Sequence, residues 1–147
     1  MAAQTADRKV TRLGSGLTKR TVPLAATAKV WSGGLVMLNA TGFGTAAAAG
    51  TATLVVAGIA ESQQDNTTGA DGDLEVVVES DVIANFGNLG ADPVTQADVG
   101  QLVFAADDQT IARTNGGGAG RPAVGYLHEL RGTVPYVYIP EPGRRLV

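Results

Sequence analysis

From Val22 onward, short runs of β-branched and aliphatic residues alternate with turn chemistry at intervals of about ten residues. This pattern predicts ten strands, over residues 21–24, 29–31, 35–39, 53–61, 74–80, 82–86, 102–106, 110–114, 122–130 and 134–139. The breakers between them include Ser32-Gly33-Gly34, Thr41-Gly42-Phe43-Gly44, Asp71-Gly72, Asp107-Asp108, Asn115-Gly116-Gly117-Gly118 and Arg131-Gly132. Each supplies a positive φ or a side-chain acceptor for turn backbone. Period-two alternation puts Leu74, Val76 and Val78 on one strand face and Glu75, Val77 and Glu79 on the other. Tyr136 and Tyr138 likewise share a face opposite Val137 and Ile139. One helical turn is predicted over 95–99, with Thr95 as cap, Asp98 three residues on and Gly100 as stop. The fold class that follows is all-β: a small β-sandwich or β-barrel with many short strands, at most one short helix and an extended N-terminal arm. At 147 residues the chain is long enough for one packed core.

Charge is segregated along the chain. Residues 1–29 carry Arg8, Lys9, Arg12, Lys19, Arg20 and Lys29 against Asp7 alone. Residues 30–112 hold 11 acids and no lysine or arginine, and 113–147 return to a basic balance, with five arginines and two glutamates. Basic ends of this kind can pair with the acidic middle of their own chain or with that of a neighbouring copy. Residues 1–20 show little apolar periodicity and contain Gly14-Ser15-Gly16, so they read as an extended arm. The β-rich domain then spans 21–140 and a tail 141–147. An arm alone frays, and this one is expected to lie on a surface outside itself. The candidate contact residues are Arg8, Lys9, Arg12, Lys19 and Arg20 in the arm, Arg144 and Arg145 in the tail, and Trp31 as a packing or interface anchor.

Composition removes much chemistry. Without cysteine there is no disulfide, thiol nucleophile or cysteine-based zinc or iron–sulfur site. The single histidine, His128, excludes designs that need two imidazoles; with no nucleophile-elbow pattern beside it, it reads as a strand residue. Gly42-Phe43-Gly44-Thr45-Ala46-Ala47 imitates a dinucleotide fingerprint, but Gly50, Thr51 and Thr53 leave no room for the helix that must follow. The glycines and lysine of residues 14–21 do not have phosphate-loop spacing. Residues 65–75 offer hard oxygen ligands without EF-hand spacing and read as a hairpin loop, and Asp107-Asp108 reads as a turn. The arm has no aromatic for base stacking and the domain behind it is acidic, so no nucleic-acid partner is expected. Residues 31–60 are uncharged, but six glycines and scattered Ser, Thr and Asn argue against a spanning helix and a membrane partner. The first ten residues lack the apolar run of a secretory signal, so synthesis in the cytoplasm is expected. No catalytic residue, cofactor or metal is expected.

Residues 24–36 (Leu-Ala-Ala-Thr-Ala-Lys-Val-Trp-Ser-Gly-Gly-Leu-Val), 56–61 (Val-Ala-Gly-Ile-Ala-Glu) and 65–69 (Asp-Asn-Thr-Thr-Gly) together resemble the decoration, or cement, proteins of tailed-bacteriophage capsids. Residues 97–110 (Ala-Asp-Val-Gly-Gln-Leu-Val-Phe-Ala-Ala-Asp-Asp-Gln-Thr) and 122–127 (Pro-Ala-Val-Gly-Tyr-Leu) are similar to that family's succession of strand, Asp-Asp turn, strand, glycine-rich loop, Ala-Val-Gly strand and final aromatic strand. The resemblance covers about residues 21–140 and rests on turns rather than on catalytic signatures. It implies a non-enzymatic structural virion protein that binds the exterior of an icosahedral head where major capsid proteins meet and stiffens it. The long arm and the tail are less typical of the family's short members. Self-association as a dimer or trimer is expected, and strand pairing by residues 10–17 or 21–24 is a natural way to grip a capsid strand. Two other classes compete. A host-facing fibre, adhesin or carbohydrate-binding β-module needs exposed aromatics, and the chain has one Trp, three Tyr and three Phe. A hydrolase built on His128 requires a turnover that His128→Ala abolishes.

Overall fold

The run Leu35-Val36-Met37 is buried on both of its faces, and the two cores it serves define the architecture. The computed structural model describes residues 2–13, 18–118 and 120–141. Their strands are β1 (Arg12–Leu13), β2 (Thr18–Pro23), β3 (Lys29–Val30), β4 (Leu35–Leu38), β5 (Gly44–Ala46), β6 (Val55–Ala60), β7 (Gln64–Asp65), β8 (Glu75–Ser80), β9 (Val82–Asn85), β10 (Gly87–Asn88), β11 (Leu102–Ala105), β12 (Thr110–Ala112), β13 (Ala123–Arg131) and β14 (Val134–Ile139). A five-stranded sheet has the order β2-β8-β6-β4-β5, and a seven-stranded sheet the order β1-β9-β14-β13-β11-β12-β10. All pairings are antiparallel except β10 with β12. The protein is all-β, as the alternation predicts.

The five-stranded sheet curls until Leu24, just beyond β2, bridges Gly44 of β5, where the Ala25 N–H donates to the Gly44 carbonyl at 2.9 Å. Val22, Leu24, Val30, Val36, Ala57, Val76 and Val78 fill the inside of that curl. Leu35, Met37, Val56 and Ile59 point the other way, against Val82, Ala84, Val103, Ile111, Val124, Leu127, Val137 and Ile139 of the seven-stranded sheet. Each of the valine, leucine, isoleucine and methionine side chains contributes about 1.5–3 kcal/mol on burial, so the second and larger cluster is the main cohesive force between the sheets. The chain changes sheets at Asp81, between β8 and β9. Its φ of 55° turns the corner, a conformation aspartate tolerates better than most residues, and the Tyr138 hydroxyl bonds its carboxylate at 2.5 Å.

All ten expected strands form, with shifted ends. The helical turn also forms, as a 3₁₀ turn over Gln96–Asp98, with the Asp98 carboxylate accepting from the Thr95 N–H at 2.7 Å. Val137 and Ile139 face the core opposite Tyr138 as predicted. Val76 and Val78 face the inner core opposite Glu75 and Val77, as the alternation predicts. Leu74 lies before β8 and is 38% exposed, and Glu79 is only 6% exposed because Arg12 covers it. The separate arm over residues 1–20 is corrected. Within it, β1 pairs with β9 at one edge of the seven-stranded sheet, and β2 begins at Thr18 and pairs with β8 at the edge of the five-stranded sheet. The leading segment is thus built into both sheets, and the surface that holds it belongs to its own chain.

Candidate interaction surface around the N-terminal strap

Residues 4–12 cross the joint between the two sheets as a strap. Toward the five-stranded side, the Arg8 N–H donates to the Ser32 carbonyl at 3.0 Å, and the Ser32 N–H donates to the Asp7 carboxylate at 2.9 Å. Toward the seven-stranded side, the Thr11 N–H donates to the Asn85 side chain and the Gln4 N–H to Asp108 Oδ1, both at 2.9 Å. The strap lies so close that a Cβ on Gly33 would stand 2.6 Å from the Arg8 carbonyl oxygen. Gly33 also has φ +82°, so the position requires glycine twice over.

Arg8 is the bolt of this arrangement. Its Nε donates to the Gly33 carbonyl at 2.7 Å, one terminal nitrogen donates to the Asn85 carbonyl at 3.0 Å, and the guanidinium lies 5.0 Å from the centre of the Phe86 ring. Burial pulls its pKa down to about 10, against the opposing pull of Asp108. Asp108, only 2% exposed, has its carboxyl pushed above the ordinary aspartate value, chiefly by desolvation, while the Gln4 N–H and Arg8 act the other way. Farther along, Arg12 grips Glu79 with Nε at 2.6 Å and a second nitrogen at 3.3 Å, a two-pronged contact on a buried carboxylate.

The eight candidate contact residues therefore divide. Arg8 and Arg12 bond groups of their own chain, the Gly33 and Asn85 carbonyls and the Glu79 carboxylate. Lys9 is exposed and makes no ion pair among the described residues. Lys19 is exposed beside Glu61 at 2.9 Å, whose hydrogen bond and charge raise its pKa. Arg20 is half-buried on β2, its Nε without a hydrogen-bond partner among the described residues. Trp31 is half-buried under the Lys29 ammonium, 4.2 Å from the ring centre, and Lys29 also stands 3.7 Å from Asp65. Arg144 and Arg145 lie outside the described residues, as does the 14–17 part of the expected edge-pairing segment.

The edge itself is usable. The Glu61 N–H donates to the Val77 carbonyl, so Val77 turns its backbone toward β6, and Thr21 opposite it turns its own N–H and carbonyl outward. Lys19, two residues away, does the same. Pro23 lacks an N–H and suits an edge strand.

Three aspartates of the acidic segment 65–75 spend their oxygens on nearby groups of the chain. Asp65 accepts from the Thr67 N–H and hydroxyl, which lower its pKa; Asp71 accepts from the Ala26 N–H, and Asp73 from the Ala70 N–H. Asn66, buried at 2%, donates to the Ala25 and Ala70 carbonyls at 2.9 and 3.0 Å. No group of three or more His, Cys, Asp or Glu arranged to hold a metal occurs among the described residues. His128 is exposed at a bulge in β13. Sequence reasoning missed Gln4, Glu79, Asp108 and the cluster at Asp92, whose carboxylate accepts from Thr114 and from Arg121 at 2.9 Å; these bonds lower the Asp92 pKa and fasten the glycine-rich loop. Asp92 and Asp108 were signalled only as charges next to turn residues, and Gln4 and Glu79 carried no signal of their own. No protein family, curated protein or solved structure matches the chain at a significant level.

Proposed function

We propose that this chain is a capsid decoration protein: a non-enzymatic β-domain that binds the exterior of a tailed-phage head, contacts the major capsid protein and stabilises its lattice as a dimer or trimer. The observation that carries this reading is the resemblance over residues 21–140. Its segments are not peripheral: 24–36 and 56–61 supply β3, the first half of β4 and nearly all of β6, and 97–110 and 122–127 supply β11, the first residue of β12 and the start of β13. The pattern thus lies in the strands and turns that build both cores.

The open edge of β2 supports the mode of binding. Backbone pairing there adds a capsid strand without a sequence-demanding pocket. Lys19 and Arg20 on the strand itself and Lys9 in the strap supply the cationic contacts, with Arg144 and Arg145 of the tail as further candidates; Trp31, stacked under Lys29, serves packing first. Repetition over a lattice multiplies weak individual contacts. The test is co-sedimentation of the purified protein with empty phage heads stripped of their own decoration protein. Saturable binding that weakens at least tenfold in the Lys9→Glu, Lys19→Glu, Arg20→Glu triple variant supports the proposal. Absence of binding to any head, with binding to glycans instead, would overturn it in favour of an adhesin.

A further inference from the structure

The strap ends in a cluster of oxygens that lacks a hydrogen. Gln4 is 7% exposed, and its side-chain nitrogen has both hydrogens committed, to the Ala6 carbonyl at 3.1 Å and the Ser32 carbonyl at 3.2 Å. That fixes which way the amide faces, because turning it over would set its oxygen against two carbonyl oxygens. Gln4 Oε1 therefore points inward, and it has no donor among the described residues. A Cβ built on Gly34 would stand 2.9 Å from Gln4 Oε1, 3.0 Å from the Trp31 carbonyl oxygen and 3.3 Å from Asp108 Oδ2. Three acceptors thus close over one point. The Gly34 N–H is already given to Trp31, and the Gln4 N–H to Asp108 Oδ1.

The Asp108 carboxyl, buried beside this point and already accepting from the Gln4 N–H at Oδ1, can supply the missing hydrogen itself when it is protonated. We propose that docking of the N-terminal strap takes up a proton on Asp108, which then holds Gln4 twice, accepting from its backbone N–H at Oδ1 and donating from Oδ2 to Oε1. The strap is a proton-operated lock, tight in acid and looser when Asp108 is ionised and sets a second acceptor against the unpartnered Gln4 Oε1.

The charged groups around Asp108 are few. Asp107, its neighbour in the turn, discourages ionisation, and Arg8, from the strap, encourages it; Asp7 is tied to the Ser32 N–H and Arg12 to Glu79. Burial of the carboxyl acts with Asp107, so the balance favours the neutral form more than in a free aspartate. For an acid whose folded pKa is raised, the stabilisation is complete below the unfolded value. It is lost as pH rises from that value through the folded one, and is flat above it.

The test is amide exchange of Gln4 and Arg8, measured relative to the buried amide of Val137 on a strand paired on both sides, from about pH 4 to about pH 7. In the wild type, strap opening should rise by roughly three- to tenfold across this range, up to tenfold per unit of raised pKa. In Asp108→Asn, whose amide supplies the hydrogen permanently, opening should stay at the acid wild-type level throughout. A flat wild-type profile, as an inserted water would give, contradicts the proposal. So does an Asp108→Asn strap that opens at neutral pH, as loss of a carboxylate held by Arg8 would cause. Should that variant fail to fold, NMR titration of the wild-type Asp108 carboxyl carbon decides, with an apparent pKa at or below that of free aspartate refuting the lock.

Discussion

The inner and outer halves of the leading segment carry the same kind of charge and do different work. Arg8 and Arg12 meet buried acceptors from both sheets, whereas Lys9 and Lys19 lie in solvent, one without an ion pair among the described residues and the other beside a half-exposed glutamate. The difference lies in what lies opposite each side chain. A basic residue facing the joint between two sheets is drawn in by orphan carbonyls and a buried carboxylate, while one on an edge strand keeps its water. Charge count alone cannot separate the two. A buried pair is costly to break, because the partner stays desolvated, while an exposed pair contributes little and is screened by salt.

The largest effect that would test this division is removal of residues 2–11, which strips Asp108, Gly33 and Phe86 of their cover. It should lower the thermal midpoint by on the order of 10 °C, and an unchanged midpoint would return the segment to the status of a free arm. Arg8→Ala, which leaves the Gly33 and Asn85 carbonyls without their donor, should cost about 2–3 kcal/mol in denaturant unfolding. Arg8→Lys should recover only part of that, because one ammonium does not reproduce the fork. Glu79→Ala should cost about 1–2 kcal/mol, moderated because Arg12 is partly in water.

Acid should loosen the glycine-rich loop in the opposite sense to the strap. Asp92 has a lowered pKa, so its contribution is present above the ordinary aspartate value and is lost as pH falls through the lower folded one. Amide exchange of Thr114 should therefore speed up in strong acid, and Asp92→Asn should remove that dependence. The smallest effect on stability belongs to Lys9→Glu with Lys19→Glu. Their thermal midpoint should match the wild type while binding to phage heads falls.

The strands were legible in the sequence wherever a run faced a core. Alternation located β8 and β14, and the apolar continuity of Leu35-Val36-Met37 reflected burial on two sides at once. The short strands β1, β5, β7 and β10 were not legible. Gly44–Ala46, Gln64–Asp65 and Gly87–Asn88 have no apolar pattern of their own and are strands because a neighbour presents a ladder to them. The polar interior was hidden for a related reason. Glu79 alternates like a surface residue, and only the return of Arg12 from 67 positions earlier in the chain covers it. Charge segregation announced that the ends would meet the middle, and left open whether that middle belonged to the same chain.

The most direct test of the decoration reading is an image of phage heads saturated with this protein. Density is expected on the outer surface at symmetry-related sites, with the β2 edge and Lys19 turned toward the major capsid protein and the strap folded on its own domain. Bare heads at saturating protein, or density attached through the glycine-rich loop with β2 facing solvent, would contradict it.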